Sequence, residues 1–132
     1  WYNGVLVSSE ISRGLDIFEL IPSDVLSQNE IDAAKSIHLD YLNSQGQPKF
    51  VWPYTFVLAG AYVDQLERSR SMGSAWISET REVLATAEGL SGSARSTALT
   101  SLATKLEGEA GRSRDAPKVR VLIEAIRGLA DG

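Results

Sequence analysis

The sequence predicts a mainly α protein: an antiparallel bundle of about five helices preceded by an N-terminal β-hairpin. Two patterns point there. The first twenty positions hold two short β-rich runs set off by turn residues, whereas after Pro22 apolar residues recur three and four apart in stretches separated by polar or glycine-bearing links. The expected units are therefore residues 1–21, a hairpin, and residues 22–132, a helical bundle.

The hairpin comes first. Val5, Val7 and Ser9 alternate with Leu6 and Ser8 after the turn signal Asn3-Gly4, and Leu15, Ile17, Phe18 and Leu20 form a second β-rich run after Ser12-Arg13-Gly14. Two strands alone are marginal in water, so the pair is expected to be completed either by the helices behind it or, the preferred reading, by strands that precede Trp1 in a longer protein. The helices follow. Ser27 with Glu30 three residues on reads as a capping box, and Leu26 before it can staple onto Ile31, so a helix is expected from Gln28. Its stripe would hold Ile31, Ala34, His38, Tyr41 and Leu42, and it should end before Asn43-Ser44-Gln45-Gly46-Gln47-Pro48, a polar loop and candidate hinge.

Pro53 suits the first turn of a second helix running to about Arg70. Leu58, Ala61, Tyr62 and Leu66 line one of its faces and Phe56, Ala59, Gly60 and Val63 another, which places it at the centre of the bundle, with Gly60 and Ala61 admitting a close neighbour. A third helix, capped by Ser74, carries Trp76, Thr80, Val83, Leu84 and Ala87. A fourth, capped near Ser93, carries Ala98, Leu99, Leu102 and Leu106. The last starts at Asp115, a carboxylate cap, with Pro117 in its first turn and Val119, Leu122, Ile126 and Leu129 on its stripe.

Composition excludes several function classes. The absence of cysteine removes disulfides, thiolate zinc sites, iron–sulfur clusters and a cysteine nucleophile together. A net charge of -4 argues against a general nucleic-acid binder, which needs clustered Lys and Arg against phosphates. No run approaches a membrane span, since the longest apolar stretch, Phe56 to Val63, is interrupted by Gly60. The chain begins with Trp1 and not Met, and it shows no charged region followed by an apolar one in the manner of a leader, so it is read as a piece of a longer protein.

No residue is assigned a catalytic, cofactor-binding or metal-binding role. His38 is the only histidine, and a second function hypothesis, an enzyme, rests on it together with a carboxylate. Glu30 is already explained by the cap, and Asp32 and Asp40 lie roughly 80° apart around a helix, which disfavours a glycosidase-like pair. A third hypothesis, anion binding, rests on the basic patch Arg112, Arg114, Lys118 and Arg120 beside Gly108-Glu109-Ala110-Gly111, a run that lacks the Gly-Lys-Ser/Thr ending of a phosphate loop. Phe50, Trp52, Tyr54 and Trp76, flanked by Pro48 and Pro53, form either core or a shelf for a sugar or peptide.

The run Tyr2 to Leu20, and above all Ser12-Arg13-Gly14-Leu15 followed by the strand to Leu20, resembles the last strand pair of the LVIVD-repeat, or choice-of-anchor B, β-propeller proteins. Pro22-Ser23 through Ile31 is similar to the exit from that propeller into a C-terminal helical region. The resemblance implies a bacterial extracellular or cell-surface protein, a non-enzymatic scaffold, and upstream blades of the same chain as the hairpin's partner. It implies no catalytic residue. The residues with most leverage would then be Arg13, Gly14 and Asp16 at the blade turn and the Ser27/Glu30 cap.

Overall fold

The computed structural model describes residues 1–46 and 49–132; Gln47 and Pro48, in the loop expected to act as a hinge, lie outside the described residues. Strands β1 (Val5–Glu10) and β2 (Gly14–Glu19) form a two-stranded antiparallel sheet in which Leu6 faces Phe18 and Val7 faces Ile17. Glu10 closes the connection by accepting from the main-chain N–H groups of Ser12 and Arg13 at 2.9 and 2.7 Å, and Gly14 takes a φ of +93° that a side chain would resist. Arg13 reaches Asp16 at 3.1 Å.

Five helices follow: α1 (Gln28–Lys35), α2 (Phe56–Arg68), α3 (Ser74–Glu88), α4 (Gly92–Ala110) and α5 (Ala116–Asp131). The mainly α architecture with an N-terminal hairpin matches the sequence expectation. The capping box is present: Ser27 Oγ accepts from Glu30 N–H at 3.2 Å and Glu30 Oε2 from Ser27 N–H at 2.7 Å. Asp115 likewise caps α5, accepting from Lys118 N–H at 3.0 Å.

The helix boundaries differ from expectation at four starts or ends. The first helix stops at Lys35, seven residues short of Leu42, because Ser36 Oγ turns back onto Ala33 O at 2.6 Å and the main chain of Leu39 is taken by the side chain of Asn3. His38 and Tyr41 are consequently exposed in an irregular segment and share no helical stripe. The second helix starts at Phe56, not at Pro53, since Thr55 Oγ1 provides the cap by accepting from Leu58 N–H at 3.0 Å. At its other end Arg70 is left-handed (φ 51°), with Arg70 N–H bonded to Glu67 O and Ser71 N–H to Leu66 O, a Schellman closure on a residue other than glycine. Gly73 and Ser91 precede α3 and α4, where Ser74 and Ser93 were expected as caps, and neither helix has a side-chain cap bond.

α2 touches α1, α3 and α5, the central place its all-round apolar surface predicts. The main core, built from α2 to α5, includes Val63, Leu66, Leu99, Leu106, Leu122 and Ile126, all fully buried. Burying each such side chain stabilises the fold by about 1.5–3 kcal/mol. A smaller cluster of Ala33, Leu58, Ala61 and Ala125 joins α1 to α2 and α5. Gly60 is where α1 comes close: a Cβ there would stand 3.0 Å from the Asn29 amide.

Candidate functional site

The hairpin gathers exposed large apolar side chains on one element, although Ile21, Val25, Tyr41 and Val51 outside it are exposed as well. Alternation places Val7, Ile17 and Leu15 on one face of the sheet and Leu6 and Phe18 on the other. Leu15, Ile17 and Phe18 are 59%, 63% and 50% exposed, and Ile11 at the tip is fully exposed. Neither strand is covered by a helix. The sheet is nevertheless held in place: Tyr2 Oη donates to Leu39 O at 2.8 Å, Asn3 exchanges two side-chain bonds with the Leu39 main chain at 2.9 and 2.7 Å, and Lys35 Nζ meets Glu19 at 3.1 Å. Both faces of this positioned two-stranded sheet therefore leave large apolar side chains in water, an unfavourable setting for each.

The aromatic residues divide. Phe50 meets Trp1 in a T-shaped pair and Trp52 in a tilted one, with ring centroids 6.3 and 6.5 Å apart, while Trp76 belongs to α3 and packs against the main core. Trp52 and Tyr62 line a cleft of about 320 Å3 with Ala33, Glu30, Gln65 and Lys118. Its polar groups are spoken for. Glu30 accepts from Ser27 N–H, from Gln65 Nε2 at 2.9 Å and from both terminal nitrogens of Arg68 at 2.9 and 2.7 Å. The Arg68 hydrogen bonds, aided by Ser27 and Gln65, hold its carboxyl down at about 2. A general base works best near the operating pH, so Glu30 is a fixed anion and not a proton carrier. Lys118 Nζ donates to Gln65 at 2.7 Å and lies 5.5 Å from the centre of the Tyr62 ring, whose hydroxyl is pushed up by burial and by Glu124.

No family model, curated protein or solved structure matches this chain.

The remaining expected groups are dispersed. His38 is exposed and hydrogen-bonded to no carboxylate among the described residues; Asp32 accepts from Gln28 at 2.7 Å on the surface of α1, and Asp40 is exposed. The basic residues do not converge: Arg112 pairs with Glu109 at 2.7 Å, Lys118 turns into the cleft, and Arg120 lines a different depression together with Glu107 and Glu124. Among the described residues no three His, Asp or Glu side chains are grouped to hold a metal ion. Among the described residues no helix is long and apolar enough to cross a membrane.

Sequence reasoning missed two polar assemblies. Arg81 bridges Asp64 and Glu67 at 2.7 and 2.6 Å. Arg95 of α4 donates to the carbonyls of Leu90, Ala87 and Glu88 at the end of α3 and lies 5.6 Å from the Phe56 ring centre, serving as a C-cap supplied by another helix. Asp64 and Glu67, three apart on one helix face, were the readable half of the first; the second has no local signal.

Proposed function

We propose that this chain is a non-catalytic structural and interaction module in which the helical bundle carries the hairpin and the hairpin joins a larger β-structure. The observation that carries the reading is the exposure of Leu15, Ile17 and Phe18 on both faces of a two-stranded sheet that no helix covers. Such a pair is too small to be stable by its own contacts, and apolar side chains of this size gain most by being buried against a partner sheet. The resemblance of Tyr2 to Leu20 to the last strand pair of LVIVD-repeat proteins supports reading that structure as the terminal blade of a bacterial extracellular or cell-surface β-propeller, with the upstream blades as partner.

An Ile17→Asp substitution in the full-length protein tests it. The expected result is a lower melting temperature and faster proteolysis near the hairpin, with helical circular dichroism retained. A variant that melts and resists protease like its parent overturns the reading.

A further inference from the structure

The two edges of the hairpin are not equivalent. Asn3 and Gly4 both have positive φ, 48° and 92°, and they are flanked by a closed antiparallel bridge: Tyr2 N–H donates to Val5 O at 2.8 Å and Val5 N–H to Tyr2 O at 3.1 Å. Two left-handed residues between a bridged pair are the two-residue turn of a β-hairpin, whose twist matches that of the strands it joins. The arm leading into this turn is Trp1–Tyr2, and its other arm is β1. Tyr2 is therefore the start of a third strand position, on the edge of β1 away from β2.

Several features hold that position open and in register. Asn3 pays for its left-handed backbone by gripping Leu39 in both directions, and Tyr2 Oη binds the same carbonyl. Gly4 is buried so closely that a Cβ would lie 2.9 Å from Lys35 Cγ. Because Val5 turns its N–H and C=O towards Tyr2, the alternation of the strand turns those of Val7 and Ser9 to the same outer side, while Leu6 and Ser8 face Phe18 and Asp16. Charge separates the edges further. From Val5 to Ser9 β1 carries none, whereas β2 carries Asp16 and Glu19, bound at 3.1 Å by Arg13 and Lys35. Charges on a strand discourage pairing at its edge, and their absence from Val5 to Ser9 leaves that stretch of β1, before Glu10, as the edge that can be extended.

We infer that the outer edge of β1 receives an antiparallel strand formed by the segment of the same chain that leads into Trp1, in the register set by Tyr2 opposite Val5, so that its main chain bonds Val7 and Ser9. β2 is then the outermost strand of the enlarged sheet. This rests on the reading of the hairpin as part of a larger β-structure and adds its edge, direction and register.

Amide hydrogen exchange resolved by residue tests it, on residues 1–132 and on the natural chain with its upstream segment. The Leu6 and Ser8 amides, in the ladder with β2, serve as reference in both. The Val7 and Ser9 amides are expected to exchange about tenfold more slowly in the longer chain only, the weight of one main-chain hydrogen bond each. Equal rates in the two forms overturn the inference, as does a natural chain with fewer than roughly five residues before Trp1, too few for an ordinary strand. Protection that develops in residues 1–132 with rising protein concentration also overturns it, because the edge then pairs with a second copy. If Ile17→Asp destabilises the full-length protein while Val7 and Ser9 stay unprotected, the hairpin docks by its faces and only the register inference falls. Protected Val7 and Ser9 with an indifferent Ile17→Asp is the reverse case.

Discussion

The Thr80 hydroxyl is fully buried on the inner face of α3, beside Ile77 and Leu84 in sequence spacing, and finds no acceptor among the described residues. A buried polar group without a partner is costly, so Thr80→Val should raise stability by about 1 kcal/mol, read as a higher melting temperature; a fall would mean the hydroxyl has a partner after all. Arg70 presents the opposite kind of cost. It closes α2 with a left-handed backbone that a side chain disfavours. Arg70→Gly should stabilise by about 1 kcal/mol in urea unfolding, and loss of stability would show that the Arg70 side chain outweighs its backbone. Neither residue was conspicuous in the sequence: Thr80 looked like one more inward position, and Arg70 like the end of a helix.

Among the elements, α1 depends most on its partners. Its eight residues are too few to be helical alone, and it is held by the Ser27/Glu30 box, by Ile31 and Ala33 in the interior, and by Arg68 and Gln65 reaching over from α2. The box was legible as a Ser-x-x-Glu pattern, but the Arg68 and Gln65 bonds were not, because they join residues 38 and 35 positions apart. They have a pH signature. Glu30 titrates at about 2 in the fold against an ordinary 4.5, so its stabilisation is complete above pH 4.5 and is lost as pH falls towards 2. Melting temperature should therefore drop over that window, and Glu30→Gln should start lower at pH 7 by about 1–2 kcal/mol and show a shallower acid slope. Parallel curves for the two proteins would place the acid sensitivity elsewhere. The end of α1 shows the limit of reading periodicity: the stripe through His38 and Tyr41 is real in sequence, yet Asn3, 36 positions away, takes Leu39 out of the helix.

For the whole molecule, the question is whether the bundle needs the hairpin. The main core lies among α2 to α5, and the hairpin reaches the rest through Tyr2 and Asn3, bound to Leu39 in the segment after α1, through Glu19, bound to Lys35 at the end of α1, and through Trp1 against Phe50. A chain starting at Pro22 should accordingly unfold cooperatively, with a melting temperature within a few degrees of the 132-residue chain, as followed by circular dichroism. A non-cooperative melt would show that hairpin and helices share one folding unit. The same division explains why the candidate site was only half readable. Alternation and turn residues marked the hairpin, and its bareness follows from its distance from the core. The fold separates the members of the expected aromatic cluster and basic patch, setting Trp76 against the main core, Arg112 on Glu109 and Lys118 in the cleft at Trp52.

What the sequence determined by itself was the local grammar: strands in the first twenty residues, helical periodicity after Pro22, the caps at Ser27 and Asp115, and a second helix apolar enough to sit in the middle. These depend on groups within a few positions of one another, where hydrogen-bond reach and side-chain period leave few alternatives. Only the tertiary structure decided where α1 ends, which charges meet, and which edge of the hairpin carries the Tyr2–Val5 bridge. The first two rest on contacts between residues far apart in the chain, such as Asn3 with Leu39 or Glu30 with Arg68, whose closeness is a property of the packed molecule and of no segment within it.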